Sequence, residues 1–238
     1  MNKIEKGQIR LVVLLGTFWA LFSCAPTKYV ASGLTGLRDV AVISPYAYIE
    51  QVDRDSVFYD DSISRVCAAM TSNALIHSPM STGTVIPVEL GGEDPTYSDA
   101  IAYLADIVPD QAGLAPIPAA LDELLEAYGQ RYGIVVYASG YAKTSRLYGR
   151  EVAATAGGVA ASVGLSVLMA VASFGTFYSV PIVSVPQKNM LFIRLAVIDS
   201  QEDRFVYYKL IADSVSPTNH KFIEKKIRKA LGKLAPKS

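Results

Sequence analysis

Val152–Gln187 contains no charged residue in 36 consecutive positions, and nothing else in the chain limits its folding so tightly. Charged residues make up 18% of the whole, below the roughly 25% of an ordinary soluble domain. The deficit has two addresses. One is this run; the other is residues 1–23, whose only charges are Lys3, Glu5, Lys6 and Arg10. The remaining 179 residues hold 40 charges, close to the soluble norm. The chain therefore reads as a soluble domain with two apolar segments. Its 238 residues suit one domain. A net charge of zero argues against a nucleic-acid partner.

At the amino terminus, Leu11–Phe22 is a twelve-residue uncharged run behind a basic stretch, closed by Leu21-Phe22-Ser23-Cys24. A basic segment, a short apolar segment and a small residue before the cut describe a secretory signal peptide. Twelve helical residues reach only about 18 Å, too short for a bilayer core of about 30 Å. Cys24 directly after Leu-x-Ser resembles the lipobox of bacterial lipoproteins, with Phe22 bulkier than usual at its position. The resemblance implies cleavage between Ser23 and Cys24, and acyl chains on the Cys24 sulfur and its new amine. Two or more chains give firm membrane attachment where one does not. Ala25 is not the Asp of an inner-membrane retention signal, and the residues after it lack an acidic export tract. These features predict the periplasmic face of the outer membrane.

The rest reads as follows: residues 1–23 signal peptide, 24–37 tether, 38–238 folded domain with the uncharged insert at 152–187. Asp39–Ser44 is a continuous apolar strand closed by Pro45, which Tyr46–Val52 extends irregularly. Asp60 or Asp61 caps a helix with Ile63, Val66, Cys67, Met70 and Ala74 at helical spacing. Thr84–Leu90 is a strand that Pro87 assigns to an edge. Tyr97–Val108 and Ala119–Tyr132 are helical by pattern, and Gly133 stops the second. Ile134–Thr144, Met190–Asp199 and Arg204–Ala212 are strands, the last two joined as a hairpin. Met190–Asp199 is apolar on both faces except Arg194, which suits the middle of a covered sheet. Thr218 or Asn219 caps a final helix with Phe222, Ile223, Ile227, Ala230 and Leu231 inward. The order predicts a single α/β domain, a mixed sheet flanked by helices. Cys67, among apolar neighbours, reads as a buried and inert thiol.

Two periods fit the uncharged insert. At spacing four, Ala154, Gly158, Ser162, Ser166 and Ala170 form a small-residue ribbon, the kind that lets helices approach closely. At spacing two, Val163, Leu165, Val167 and Met169 alternate with Ser162, Gly164, Ser166 and Ala170, as in a membrane β-strand. One crossing of a membrane would separate the strands on either side of the insert, so they could not share a sheet. Two helical crossings need about 40 residues, whereas two strand crossings need about 9–11 each. Three readings stay open: a helix packed on its own domain, a self-association or membrane-surface element, and a spanning β-hairpin. The candidate membrane or self-association contacts are Gly157, Gly158, Ser162, Gly164, Ser166, Phe174 and Phe177.

Taken together, the lipobox, the strand Asp39-Val-Ala-Val-Ile-Ser-Pro45, the strand Tyr132–Tyr141 and the pair Met190–Asp199 and Arg204–Tyr208 resemble two groups. These are the curli-secretion lipoproteins (CsgG) and the TolB amino-terminal domain. The likeness runs over about residues 38–234 as a pattern of elements. It implies an α/β fold and, from the curli group, a membrane hairpin between two of the strands. Asp199–Asp203 lacks the Thr-Gly turn of those hairpins, and the insert lacks charged flanks.

No nucleophile elbow, phosphate loop or paired Cys-x-x-Cys is present in the sequence. His77 and His220 lie far apart without metal-ligand spacing, and the acidic stretch Asp53–Asp61 lacks the closing Glu of a calcium loop. Tyr46, Tyr48, Tyr137, Tyr141, Tyr207 and Tyr208 read as core and sheet-face packing, with a peptide- or glycan-binding face as the alternative. We expect no enzyme activity, no cofactor and no metal. The expected role is a scaffold or assembly subunit, held to the membrane by its lipid and contacting itself or another envelope protein. The alternative is an oligomeric secretion-channel or pore subunit using the insert as a hairpin.

Overall fold

The computed structural model describes residues 27–32, 34, 36–54, 56–88, 96–156 and 187–235. The chain opens with β1 (Lys28–Val30), β2 (Val40–Ile43), β3 (Tyr46–Asp53) and β4 (Ser56–Tyr59). Helix α1 (Asp61–Ile76), β5 (Ser81–Ile86), α2 (Thr96–Ala102) and α3 (Ala119–Ala127) follow. Then come β6 (Tyr132–Lys143), α4 (Ser145–Ala156), β7 (Asn189–Asp199), β8 (Arg204–Asp213) and α5 (His220–Leu231). The eight strands make one open mixed sheet in the order β1-β8-β7-β6-β2-β5, with β3 on β6 and β4 on β3. This is the mixed α/β domain expected.

β6 is the spine. Its first half pairs in parallel with β2 (Ala41↔Gly133, Val42↔Ile134) and its second half in parallel with β3 (Tyr46↔Tyr137 to Val52↔Lys143). The chain spends four residues from Val42 to Tyr46 where β6 spends three. The extra residue is a bulge at Ser44-Pro45, where proline has no N–H to give a ladder. What reads in sequence as an irregular extension is thus a full strand on the same edge of β6. β4 turns back on it as a hairpin that the sequence reading leaves out.

Successive residues of a strand face opposite ways, and the adjacent apolar pairs of β6 therefore serve two cores. Val136 joins Val40, Ile193 and Val197 under α1 and α5, with Cys67, Leu75, Ile223, Ile227 and Leu231. Val135 joins Ala41, Ile43 and Ile198 under α2 and α3, with Ile101, Leu121 and Leu125. Tyr207 and Tyr208 repeat the device: one phenol donates to the Ala230 carbonyl at 3.1 Å, the next to the Leu104 carbonyl at 2.8 Å. Each buried phenol ties the sheet to a different helical layer. An isolated twelve-residue helix is marginal in water. Burying Ile223, Ile227 and Leu231 contributes roughly 1.5–3 kcal/mol each, enough to hold α5.

Helix ends follow their local chemistry. The Asp60 carboxylate accepts from the Ile63 N–H at 2.9 Å, and the Asn219 side chain from the Phe222 N–H at 3.0 Å. β5 lies at the sheet edge, and Pro87 follows its last residue. Helix α4 is not among the expected elements, the strand expected over 84–90 runs Ser81–Ile86, and four further details differ. α3 stops at Ala127 because Gly129 takes φ +62° and closes the helix, leaving Tyr128 exposed. The helix expected over 97–108 ends at Ala102 and continues as a 3-10 turn, Tyr103–Ala105. Val66 is 40% exposed, because the inward face of α1 centres on Cys67, Thr71 and Ala74. Most consequentially, Lys28–Val30 lies within the stretch read as tether, yet it pairs antiparallel with β8. Ala31 and Leu37 are buried, so the fold begins about ten residues earlier than expected.

Candidate functional site

Ser23, Cys24, Gly157, Gly158, Ser162, Gly164, Ser166, Phe174 and Phe177 all lie outside the described residues. The structure does place the points where both apolar segments join the domain. β1 runs antiparallel to β8, and the Thr27 carbonyl accepts from the Leu210 N–H at 2.9 Å. The chain therefore enters the sheet from the end where β8 finishes at Asp213. β6 finishes and β7 starts at that end as well: Leu191 opposes both Gly140 and Asp213, and the Lys143 N–H donates to the Lys188 carbonyl at 2.9 Å. The amino-terminal segment and the insert thus join the sheet at one end. Eleven residue pairs join β6 to β7, so both flanks of the insert stand on the same side of any membrane.

This shared end is basic. Thr144 caps α4, its hydroxyl accepting from the Leu147 N–H at 3.3 Å and donating to Asp53 Oδ1 at 3.0 Å. The cap sets the first two turns of α4 beside the β3–β4 turn. A pocket of about 70 Å³ results, lined by Asp53, Arg54, Arg146, Leu147 and Arg150. The three arginines are exposed and make no direct ion pair among the described residues. The Arg54 backbone amide, the Thr144 hydroxyl and the nearby guanidinium groups hold the Asp53 carboxyl below its usual range. Lys143 is neutralised by Glu151 at 2.6 Å, and Lys226 by Asp213 at 3.3 Å. Exposed Lys188 bonds to the Ser145 hydroxyl at 3.4 Å.

A lysine patch adjoins this end along the β1 edge. Lys28 stands directly opposite Lys209 in the antiparallel pair, an arrangement that costs stability. Burial, and then the charges of Lys28, Lys233, Lys229 and Lys226, push the Lys209 ammonium below its usual range.

The opposite end of the sheet differs in charge. Arg131 holds Asp199 through a two-pronged contact at 3.0 and 2.7 Å, and the Gln201 N–H donates to the same carboxylate at 3.1 Å. Burial raises the Asp199 carboxyl, but these bonds outweigh it and hold it low. Asp203 there takes φ +45°, the backbone role a glycine fills in a Thr-Gly turn. Asp122, Glu202 and Asp203 gather at that end.

The tyrosines divide by position. Tyr137, Tyr207 and Tyr208 are core, while Tyr46, Tyr48 and Tyr141 are half-buried. Tyr46 stacks on Tyr137 with centroids 5.8 Å apart, and Tyr48 on Tyr59 at 5.1 Å. Arg194, bonded to the Ser139 hydroxyl at 2.9 Å, lies over the Tyr137 and Phe192 rings. The sequence marked these tyrosines, but not Arg194 as their polar partner or the arginine cluster. Arg54 and Arg146 are 92 positions apart and meet only through β3–β6 pairing. Cys67 is fully buried, and its thiol is pushed up to about 12 by burial. His77 Nδ1 lies 2.8 Å from the Asn73 carbonyl, and His220 opens α5. Among the described residues, no group of three or more His, Cys, Asp or Glu could hold a metal, and no helix is long and apolar enough to cross a membrane.

No protein-family model matches the chain, and no curated protein matches it in sequence. Among the solved structures similar to it are two of one protein. One is the PelC dodecamer from Paraburkholderia phytofirmans in space group P6, at 10% identity and a TM-score of 0.39, covering 89% of this chain and 96% of that one. The other is a point variant of the same dodecamer in space group C2, at 11% identity and a TM-score of 0.38, covering 88% and 97%. Values this low say nothing of what this chain does.

Proposed function

We propose that the chain is a non-enzymatic, lipid-anchored protein of the cell envelope. It acts from the periplasmic face of the outer membrane as a scaffold or assembly subunit. One observation carries this reading: Cys24 follows Leu-Phe-Ser behind a basic segment and a short apolar run, and the folded domain starts at Lys28. The position of β1 is compatible with a cut before Cys24, since every strand among the described residues lies after it. The domain then serves as a binding surface, and the anchor fixes where that surface is displayed.

Cys24→Ala tests the anchor. The variant leaves the membrane fraction almost completely, because two or more acyl chains at about 0.8 kcal/mol per buried CH₂ carry the attachment. A variant that stays bound through a carbonate wash refutes the reading.

A second reading is favoured by the β6–β7 pairing. The insert leaves and returns at one end of the sheet, as a membrane hairpin in a ring of copies requires. Light scattering in mild detergent, with and without residues 157–186, checks it. A ring-sized particle that falls to monomer on deletion supports a channel or pore subunit. A monomer in both forms rules it out.

A further inference from the structure

We propose that the end of the sheet bearing Arg54, Arg146, Arg150 and Lys188 lies on the bilayer, with the three arginines receiving the phosphodiesters of anionic lipid headgroups. The inference deepens the anchoring reading and rests on it. Three observations carry it.

The first is reach. Only Ala25 and Pro26 separate Cys24 from Thr27, whose carbonyl is already bonded to β8. Three residue steps span at most about 10 Å, comparable with the screening length of about 8 Å at physiological salt. A domain held this close feels the surface charge of the membrane it is tied to, and its near end cannot swing away.

The second is direction. The anchor enters the sheet from the Asp213 end, and β6, α4 and β7 place Lys143, Ser145 and Lys188 at that end too. The surface nearest the lipid is therefore this one, and the Ser200–Asp203 turn points away.

The third is charge and shape. Among the described residues, Asp53 is the one carboxylate lining the pocket with Arg54, Arg146 and Arg150. Exposed Lys188 lies beside Ser145 at the same end, and Lys143 and Lys226 are neutralised by Glu151 and Asp213. A guanidinium fork matches two phosphate oxygens at once, and the pocket between the three arginines admits a group of that size. Each Lys or Arg beside an anionic surface strengthens attachment about fivefold. At the far end Glu202 is paired with Arg131 and Arg204, and Asp122 and Asp203 would be repelled.

The test uses the full acylated chain bound to vesicles whose headgroups carry a nitroxide quencher. A fluorophore is placed at Ser145→Cys or at Gln201→Cys; native Cys67 is buried and unreactive. On vesicles containing phosphatidylglycerol, the Ser145 probe is strongly quenched and the Gln201 probe is not. On zwitterionic vesicles the difference shrinks. Arg54→Gln/Arg146→Gln/Arg150→Gln abolishes the phosphatidylglycerol-dependent part, while the protein still floats with the vesicles and melts at the same temperature. Equal quenching at the two probes overturns the inference, as does quenching indifferent to phosphatidylglycerol or unchanged in the triple variant. Protein that floats yet fails these tests refutes this inference alone. Protein that carries no acyl chain and does not float refutes the anchoring reading with it.

Discussion

Gly140→Ala destabilises this fold by about 3 kcal/mol or more. Gly140 sits in β6 opposite Leu191, where β7 begins. A Cβ built there would lie 2.1 Å from the Met190 carbonyl oxygen and 3.1 Å from its carbon. The obstacle is backbone, not a side chain that can rotate away. Relief requires β6 and β7 to part by more than 1 Å at the centre of the sheet, against ladders on both sides. Overpacking of a rigid site costs about 1–3 kcal/mol, and displaced backbone puts this one at or above the upper limit. Domains of this kind hold about 5–15 kcal/mol in all. Urea unfolding should show a midpoint lowered by about a fifth or more. Gly149→Ala is the control. Nothing lies within 4 Å of a Cβ at Gly149, in exposed α4, so the variant should gain about 0.5–1 kcal/mol from helix propensity. Equal effects at the two glycines would show that the β6–β7 contact is not as close as described.

Alkaline pH should destabilise the protein steeply between about pH 9 and 12. Burial raises the Cys67 thiol from its ordinary 9.0 to about 12. Burial likewise raises the Tyr137 and Tyr207 phenols from 10.0 to about 12. In each case the folded state keeps a proton that the unfolded chain gives up. The stability they contribute is fully present below about pH 9. It is lost as pH rises through the window to about 12, because there the unfolded state binds fewer protons. At 1.36 kcal/mol per unit, the three groups together withdraw about 5 kcal/mol by pH 11. Half-buried Tyr46, Tyr48 and Tyr141 shift the same way, chiefly through burial. Lys209, lowered by burial and by Lys28, opposes the trend only weakly. Urea midpoints measured at pH 8, 9.5 and 11 check this, and a flat profile would refute it. Tyr207→Phe separates the causes. It forfeits the bond to the Ala230 carbonyl, about 1 kcal/mol at pH 8, yet flattens the alkaline slope.

The wider reading depends on distance from the membrane. On the proposed acylation of Cys24, a domain joined to its sheet three residues later is not a free module on a string. Its orientation follows from strand direction. On that proposal, a partner approaching from the side away from the membrane would meet the Asp122–Asp203 end or the helical faces first.

Much of this architecture is local and was legible in order along the chain. Asp60 and Asn219 cap helices because a side-chain oxygen beside orphan N–H groups is useful wherever the rest of the protein lies. Alternation and apolar runs marked β6, β7 and β8, since burial on one or two faces writes its period directly into the residues. The uncharged stretch and the amino-terminal segment were equally plain, being statements about solvent. What escaped the sequence was pairing. Lys28–Val30 is three residues of mixed polarity, and it is a strand only because β8 offers an open edge. Tyr46–Asp53 is a full strand because β6 is long enough to carry two partners end to end. The arginine cluster exists because a parallel register sets Val52 beside Lys143 and a Thr144 cap aims α4 back over Arg54. The residues determined what each segment would become. Long-range hydrogen bonds, whose partners no local pattern names, decided that the amino-terminal segment, the insert and the charge share one end of the sheet.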